Sequence, residues 1–122
     1  MFQGKAEEAM NFYVSQFPGS EIIELVRYGA GEAGAEGSIM RAAFTVGGQT
    51  VLCTDSAVQH NFTFTPAISL LVSSESEAEI RQLSAALSEG GSVFMPLGGY
   101  GFSRLFAWVS DRFGVSWQLS FD

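Results

Sequence analysis

One pattern, an amphipathic helix followed by three strands, occurs twice in this sequence. A chain that lays down one unit twice has two similar apolar faces to bury. Ala6, Ala9, Met10, Tyr13 and Phe17 recur at helical spacing, with Glu7, Glu8 and Asn11 off that face. Pro18-Gly19 ends this first helix. Ile80, Leu83 and Leu87 mark a second helix, opened by Ser76 and Glu79 at capping-box spacing and stopped by Gly90-Gly91. Aligning Met10 with Ile80, Tyr13 with Leu83 and Phe17 with Leu87 also aligns Ile23 with Val93 and Leu25 with Met95. Residue identity between the halves is slight, so the repeat is one of element order.

The strands fill in around the helices. Glu21–Tyr28 carries apolar residues on both faces, which predicts a strand packed on both sides. Gly29–Gly37 holds no large apolar residue and reads as a flexible loop. Ile39–Val46 places Met40, Ala42, Phe44 and Val46 on one face, and Gly47-Gly48 turns the chain into Gln49–Asp55. After a connector over 56–66, Ala67–Ser73, Val93–Leu97, Phe102–Val109 and Val115–Phe121 read as strands. The segment equivalent to Ala67–Ser73 in the first half falls at Met1-Phe2-Gln3, which reads as the tail of a strand. Either residues precede this numbering or that strand is short.

Composition excludes several functions. A chain of 122 residues, 11 of them Phe, can bury roughly two-thirds of its unfolded surface without staples. No apolar run is long enough for a membrane span, and the first residues lack the basic start and apolar stretch of a signal peptide. The cytoplasm is the expected location. Six basic residues against 13 acidic ones give a net charge of −7, which opposes nucleic acid and mildly favours cationic ligands. The lone Cys53 lies in an apolar run and reads as a small buried hydrophobe. Asn61-Phe62-Thr63 spells a glycosylation sequon that means little in that location.

FQGKAEEAMNFY, AISLLV and DRFGVSWQ, in this order and spacing, resemble the PhnB-like, 3-demethylubiquinone-9 3-methyltransferase-like branch of the glyoxalase/bleomycin resistance/dioxygenase (vicinal oxygen chelate) superfamily. The resemblance covers nearly the whole chain, and Asp111–Gln118 is its most specific stretch. It implies an α+β fold of two βαβββ modules, about 1–56 and 66–122 within one domain. The sheets would be mixed and curved, with helices on the outer face, and the assembly a homodimer. Edge strands on half-units this small also favour a covering partner.

The resemblance further implies where a divalent metal would sit. One ligand position falls near Ala67, one at Gln118 where the enzymes carry Glu, and one near Leu52. Ala and Leu offer no lone pair, and the chain has a single His, His60. No metal and no cofactor are expected. The Gly29–Gly34 run leads into a strand rather than a helix, so it does not read as a phosphate cradle. An S-adenosylmethionine site of the doubly wound kind needs a parallel sheet that this element order does not supply.

The candidate pocket residues are Gln118, Ser69, Asp55, Arg104, Phe106, Trp108 and His60, with Thr54 beside them. Aromatic walls with a few polar groups are the usual small-ligand pattern. Arg104 reads either as an anion-binding group or as a surface residue stacked over rings. His60 reads as a pocket-rim residue or a lone general base, and Asp111 as a turn residue. The resulting expectation is a small-molecule-binding protein with a metal-free pocket. The alternative is an enzyme of the same superfamily, methyltransferase-like or a lyase or isomerase. A bare structural or regulatory partner is the third reading.

Overall fold

The computed structural model describes all residues 1–122, as two compact units, Met1–Phe62 and Thr63–Asp122. The first unit holds helix α1 (Ala6–Gln16) and strands β1 (Ile22–Arg27), β2 (Ile39–Val46) and β3 (Gln49–Cys53). The second holds β4 (Leu70–Ser73), helix α2 (Glu77–Ser88), β5 (Ser92–Gly98), β6 (Leu105–Ser110) and β7 (Ser116–Phe121).

The two sheets share one plan. The second unit's order is β4-β7-β6-β5, with β4 parallel to β7 and the other neighbours antiparallel. The first unit's order is β1-β2-β3, antiparallel throughout. Where β4 would have its counterpart, Phe2 alone bridges Asp55 in parallel, with Phe2 N–H donating to the Thr54 carbonyl and Ser56 N–H to the Phe2 carbonyl.

Each helix buries the face its spacing marks. Ala6, Ala9, Met10 and Tyr13 are buried as α1 packs on β1 and β2, and Tyr13 stacks on Phe44 with ring centroids 6.3 Å apart. Ile80, Leu83 and Leu87 are buried as α2 packs on β5, β6 and β7. Ser76 Oγ caps α2 by accepting from Glu79 N–H at 3.1 Å, while the Glu79 carboxylate reaches back to Glu75 N–H rather than to Ser76. Gly90, at φ +75°, turns the chain out of α2, and a Cβ on Gly91 would lie 2.0 Å from the Ser110 carbonyl oxygen. That approach lets α2 hand the chain to β5 beside the end of β6. Arg27 clasps β1 to α1 by donating to both Glu7 carboxylate oxygens at 2.6 Å.

Four expectations change. β1 is an edge strand, not one packed on both sides, and Ile22, Ile23 and Val26 are exposed. On β2 the buried set is Ile39, Ala42, Ala43 and Phe44. The register steps from Val26–Arg41 to Arg27–Ile39, so Met40 is an extra residue, and such a bulge re-aims Ile39 inward. β4 begins at Leu70 rather than Ala67, because Pro66-Ala67 form a turn in which Ala67 N–H donates to Thr65 Oγ1. β6 begins at Leu105 rather than Phe102, because Ser103 Oγ bonds the Leu105 and Phe121 carbonyls and holds 101–104 in a bend.

Candidate functional site

Strand alternation divides the second unit's sheet into two faces. Ala107, Val109, Trp117 and Leu119 are at most 1 % exposed and form the face toward α2. Phe106, Trp108, Ser116, Gln118 and Ser120 therefore point the other way. Trp108 pairs in register with Gln118, and Gln118 with Leu71, so these three sit side by side across β6, β7 and β4. Ser69, two residues before Leu71, continues the same face next to Ser116.

Aromatic rings wall this face. Phe94 lies against Trp108 with centroids 4.9 Å apart. Phe102 meets Phe106 edge-on at 4.9 Å, and Tyr100 stands edge-on to Phe106 at 6.2 Å. The two outer rings cover Phe106, which is why it is buried although it points away from the helix. The polar groups beneath are connected. Trp108 Nε1 donates to Ser116 Oγ at 2.9 Å, and Ser116 Oγ lies 2.6 Å from Ser69 Oγ. The Gln118 amide makes no hydrogen bond within the chain and stays half-buried beside Trp108.

The DRFGVSWQ stretch has a structural explanation. Asp111, 2 % exposed, accepts from Phe113 and Val115 N–H through Oδ1 and from Trp117 Nε1 through Oδ2. This fixes the β6–β7 turn and anchors Trp117 on the helix side, so that Gln118 projects from the opposite face.

The remaining candidates have surroundings of their own. Arg104 is exposed and its guanidinium lies 5.1 Å over the Phe121 ring. Asp55 and His60 belong to the first unit. Asp55, 3 % exposed, accepts from Gly4 and Ala6 N–H through Oδ1 and from Ile39 N–H through Oδ2. Its carboxylate therefore ties the start of α1 to the start of β2. A cleft of about 380 Å³ opens beside it, lined also by Gly4, Ser38, Ser56 and Val58. His60 Nε2 lies 2.9 Å from Ser56 Oγ, and its ring stacks on Phe62 at 4.5 Å. Thr54 Oγ1 donates to the Met40 carbonyl at 2.8 Å. Sequence alternation missed Ser116 and Phe94. Ser116 had a usable signal, since it alternates with Gln118 in β7, but its bond to Trp108 depends on the β6–β7 register and its bond to Ser69 on β4 lying beside β7.

The donor set does not fit a bound divalent ion. No three His, Cys, Asp or Glu side chains come together, and Ala67 and Leu52 supply exposed apolar side chains. The residues likewise do not build a nucleotide cradle. Gly29–Gly37 joins antiparallel β1 to β2, with the Glu32 carboxylate accepting from Gly29 N–H at 2.8 Å. Burial raises the Cys53 thiol above its ordinary pKa, which disfavours the thiolate form.

Comparison with known proteins adds the following. Residues 1–120 match the family model of 3-demethylubiquinone-9 3-methyltransferase. A PhnB protein from Bacillus cereus, whose description carries the same methyltransferase label, is 52 % identical, with a TM-score of 0.98 over 100 % of this chain and 95 % of its own. The protein PA1353 from Pseudomonas aeruginosa is 30 % identical, with a TM-score of 0.86 over 99 % and 92 % of the two chains. A glyoxalase/bleomycin resistance protein from Albidiferax ferrireducens T118 is 16 % identical, with a TM-score of 0.63 over 100 % and 93 %, a likeness of fold. No curated protein matches the sequence.

Proposed function

From the premise that this chain belongs to the 3-demethylubiquinone-9 3-methyltransferase family of PhnB-like proteins and has the glyoxalase/bleomycin resistance fold, we propose that it binds a small aromatic molecule on the second unit's open sheet face, without a catalytic metal. One observation carries the reading. Gln118 holds an unpartnered amide, both donor and acceptor, beside the half-buried Trp108 and within a wall of aromatic rings. A polar group left unsatisfied among apolar surfaces is where an orienting hydrogen bond to a ligand is gained. The ring faces supply contact area and the amide fixes orientation.

The family's methyltransferase label is the second reading, supported by the match over residues 1–120. Against it stands the topology, with β4–β7 the one parallel strand pair and an isolated Phe2–Asp55 bridge in the first unit. The exposed apolar residues of β1 support a homodimer, since a second copy would cover Ile22, Ile23 and Val26. The net charge of −7 suits a neutral or cationic guest and a location away from nucleic acid, in the cytoplasm.

An NMR screen of aromatic fragments, neutral and cationic, tests the proposal. Binding fragments are expected to shift the Trp108 indole and Gln118 amide resonances together, and Gln118→Leu should weaken them by about tenfold, the worth of one net hydrogen bond. Fragments that shift only first-unit resonances, or an absence of any hit, would remove the site. In a parallel thermal-shift assay, a rise in melting temperature with millimolar S-adenosylmethionine would support the methyltransferase reading instead.

A further inference from the structure

We propose that Ser69 is a specificity-determining hydrogen-bond donor that selects ligands presenting a neutral carbonyl oxygen beside an aromatic ring. This deepens, and rests on, the small-molecule reading given above.

The direction of one hydrogen-bond chain carries it. The Trp108 indole N–H can only donate, so at 2.9 Å it occupies a lone pair of Ser116 Oγ. Ser116 is 3 % exposed, and its own hydrogen has one acceptor within reach, Ser69 Oγ at 2.6 Å. Reversing that bond would leave the Ser116 hydrogen buried with no acceptor, which folded proteins avoid. The chain therefore runs Trp108 to Ser116 to Ser69, and Ser69 is left with a hydrogen that no group of the protein accepts.

A second serine pair on the same face behaves differently. Ser103 Oγ lies 3.0 Å from Ser120 Oγ and has one hydrogen, which the backbone carbonyls of Leu105 at 2.7 Å and Phe121 at 3.1 Å can accept, so that chain ends inside the protein. The Ser69 chain ends outward. Accepting from Ser116 also polarises the Ser69 hydroxyl and strengthens it as a donor. Ser69 is half-buried and shares its face with Leu71, Gln118 and Trp108. Trp108 Nε1 and Ser69 Oγ both bond Ser116 Oγ, so a carbonyl oxygen accepting from Ser69 lies beside the Trp108 indole edge. The net charge of −7 disfavours a carboxylate in that position, so the acceptor is a neutral ketone, amide or quinone-type oxygen.

Two probes of one shape, 2-acetylnaphthalene and 2-isopropenylnaphthalene, differ only in C=O against C=CH2. Tryptophan fluorescence titration of the intact protein is expected to show the ketone binding about tenfold more tightly. Ser69→Ala should bring the ketone down to the hydrocarbon's affinity, and Ser69→Thr, which keeps the hydroxyl, should retain the preference. Equal affinity in the unaltered protein would overturn this inference and leave the binding reading standing. A preference that survives Ser69→Ala, or is lost equally in Ser69→Thr, would overturn it too. Binding of neither probe would remove both the inference and the reading beneath it.

Discussion

Two buried aspartates, one in each unit, do different work, but each carboxylate accepts from three named N–H groups. Replacing either by asparagine keeps one oxygen for two donors and turns the other donor toward an NH2 group. For Asp55→Asn the lost bond is the one from Ile39; for Asp111→Asn it is the one from the Trp117 indole. Each change should lower stability by about 2 kcal/mol, read as a shift of the urea midpoint at constant m. Cys53 offers a chemical check at the same scale. Its raised pKa should make alkylation by iodoacetamide at pH 8 about tenfold or more slower in the folded protein than in urea. Because the folded pKa is raised, the stability tied to the neutral thiol is complete below the ordinary cysteine range and is lost as pH climbs through the folded value. The turn role of Asp111 was legible from its place before Gly114, whereas nothing near Asp55 in sequence announces its donors. Gly4 and Ile39 lie far from it along the chain, and only the folded unit brings them to one carboxylate.

Among the elements, the helices were the most legible, because their buried faces follow one period and their caps are local. Ser76→Ala should cost about 1 kcal/mol through loss of the cap to Glu79 N–H. The two glycines after α2 should separate by mechanism. Gly90→Ala meets only a positive φ and should cost about 1 kcal/mol, while Gly91→Ala drives a methyl group into the Ser110 carbonyl and should cost about 2–3 kcal/mol. Thermal melts of the two variants give the comparison. Strand limits were less legible where side chains, rather than propensity, end the pairing. Ser103 holds the approach to β6 in a bend despite the alternating Phe102, Arg104, Phe106 and Trp108. The face with Phe106, Trp108 and Gln118 was legible from that same alternation, but the Ser116 link was not, because it requires knowing which strand lies beside β7.

For the whole molecule, the repeat read from element order corresponds to two units with matching sheet plans, and their exposed apolar edges lead to an expected assembly state. Sedimentation equilibrium should give twice 13.1 kDa, and Ile23→Lys should shift the distribution toward one copy. The units nevertheless differ in one respect. In the second, β7 has a neighbour on each side; in the first, β3 has β2 on one side and only the Phe2 bridge on the other. Deuterium should register the difference. Alternate amides along β3 face no carbonyl and should label within the earliest time points, while those of β7 persist, so that one half of a duplicated architecture breathes and the other stays shut.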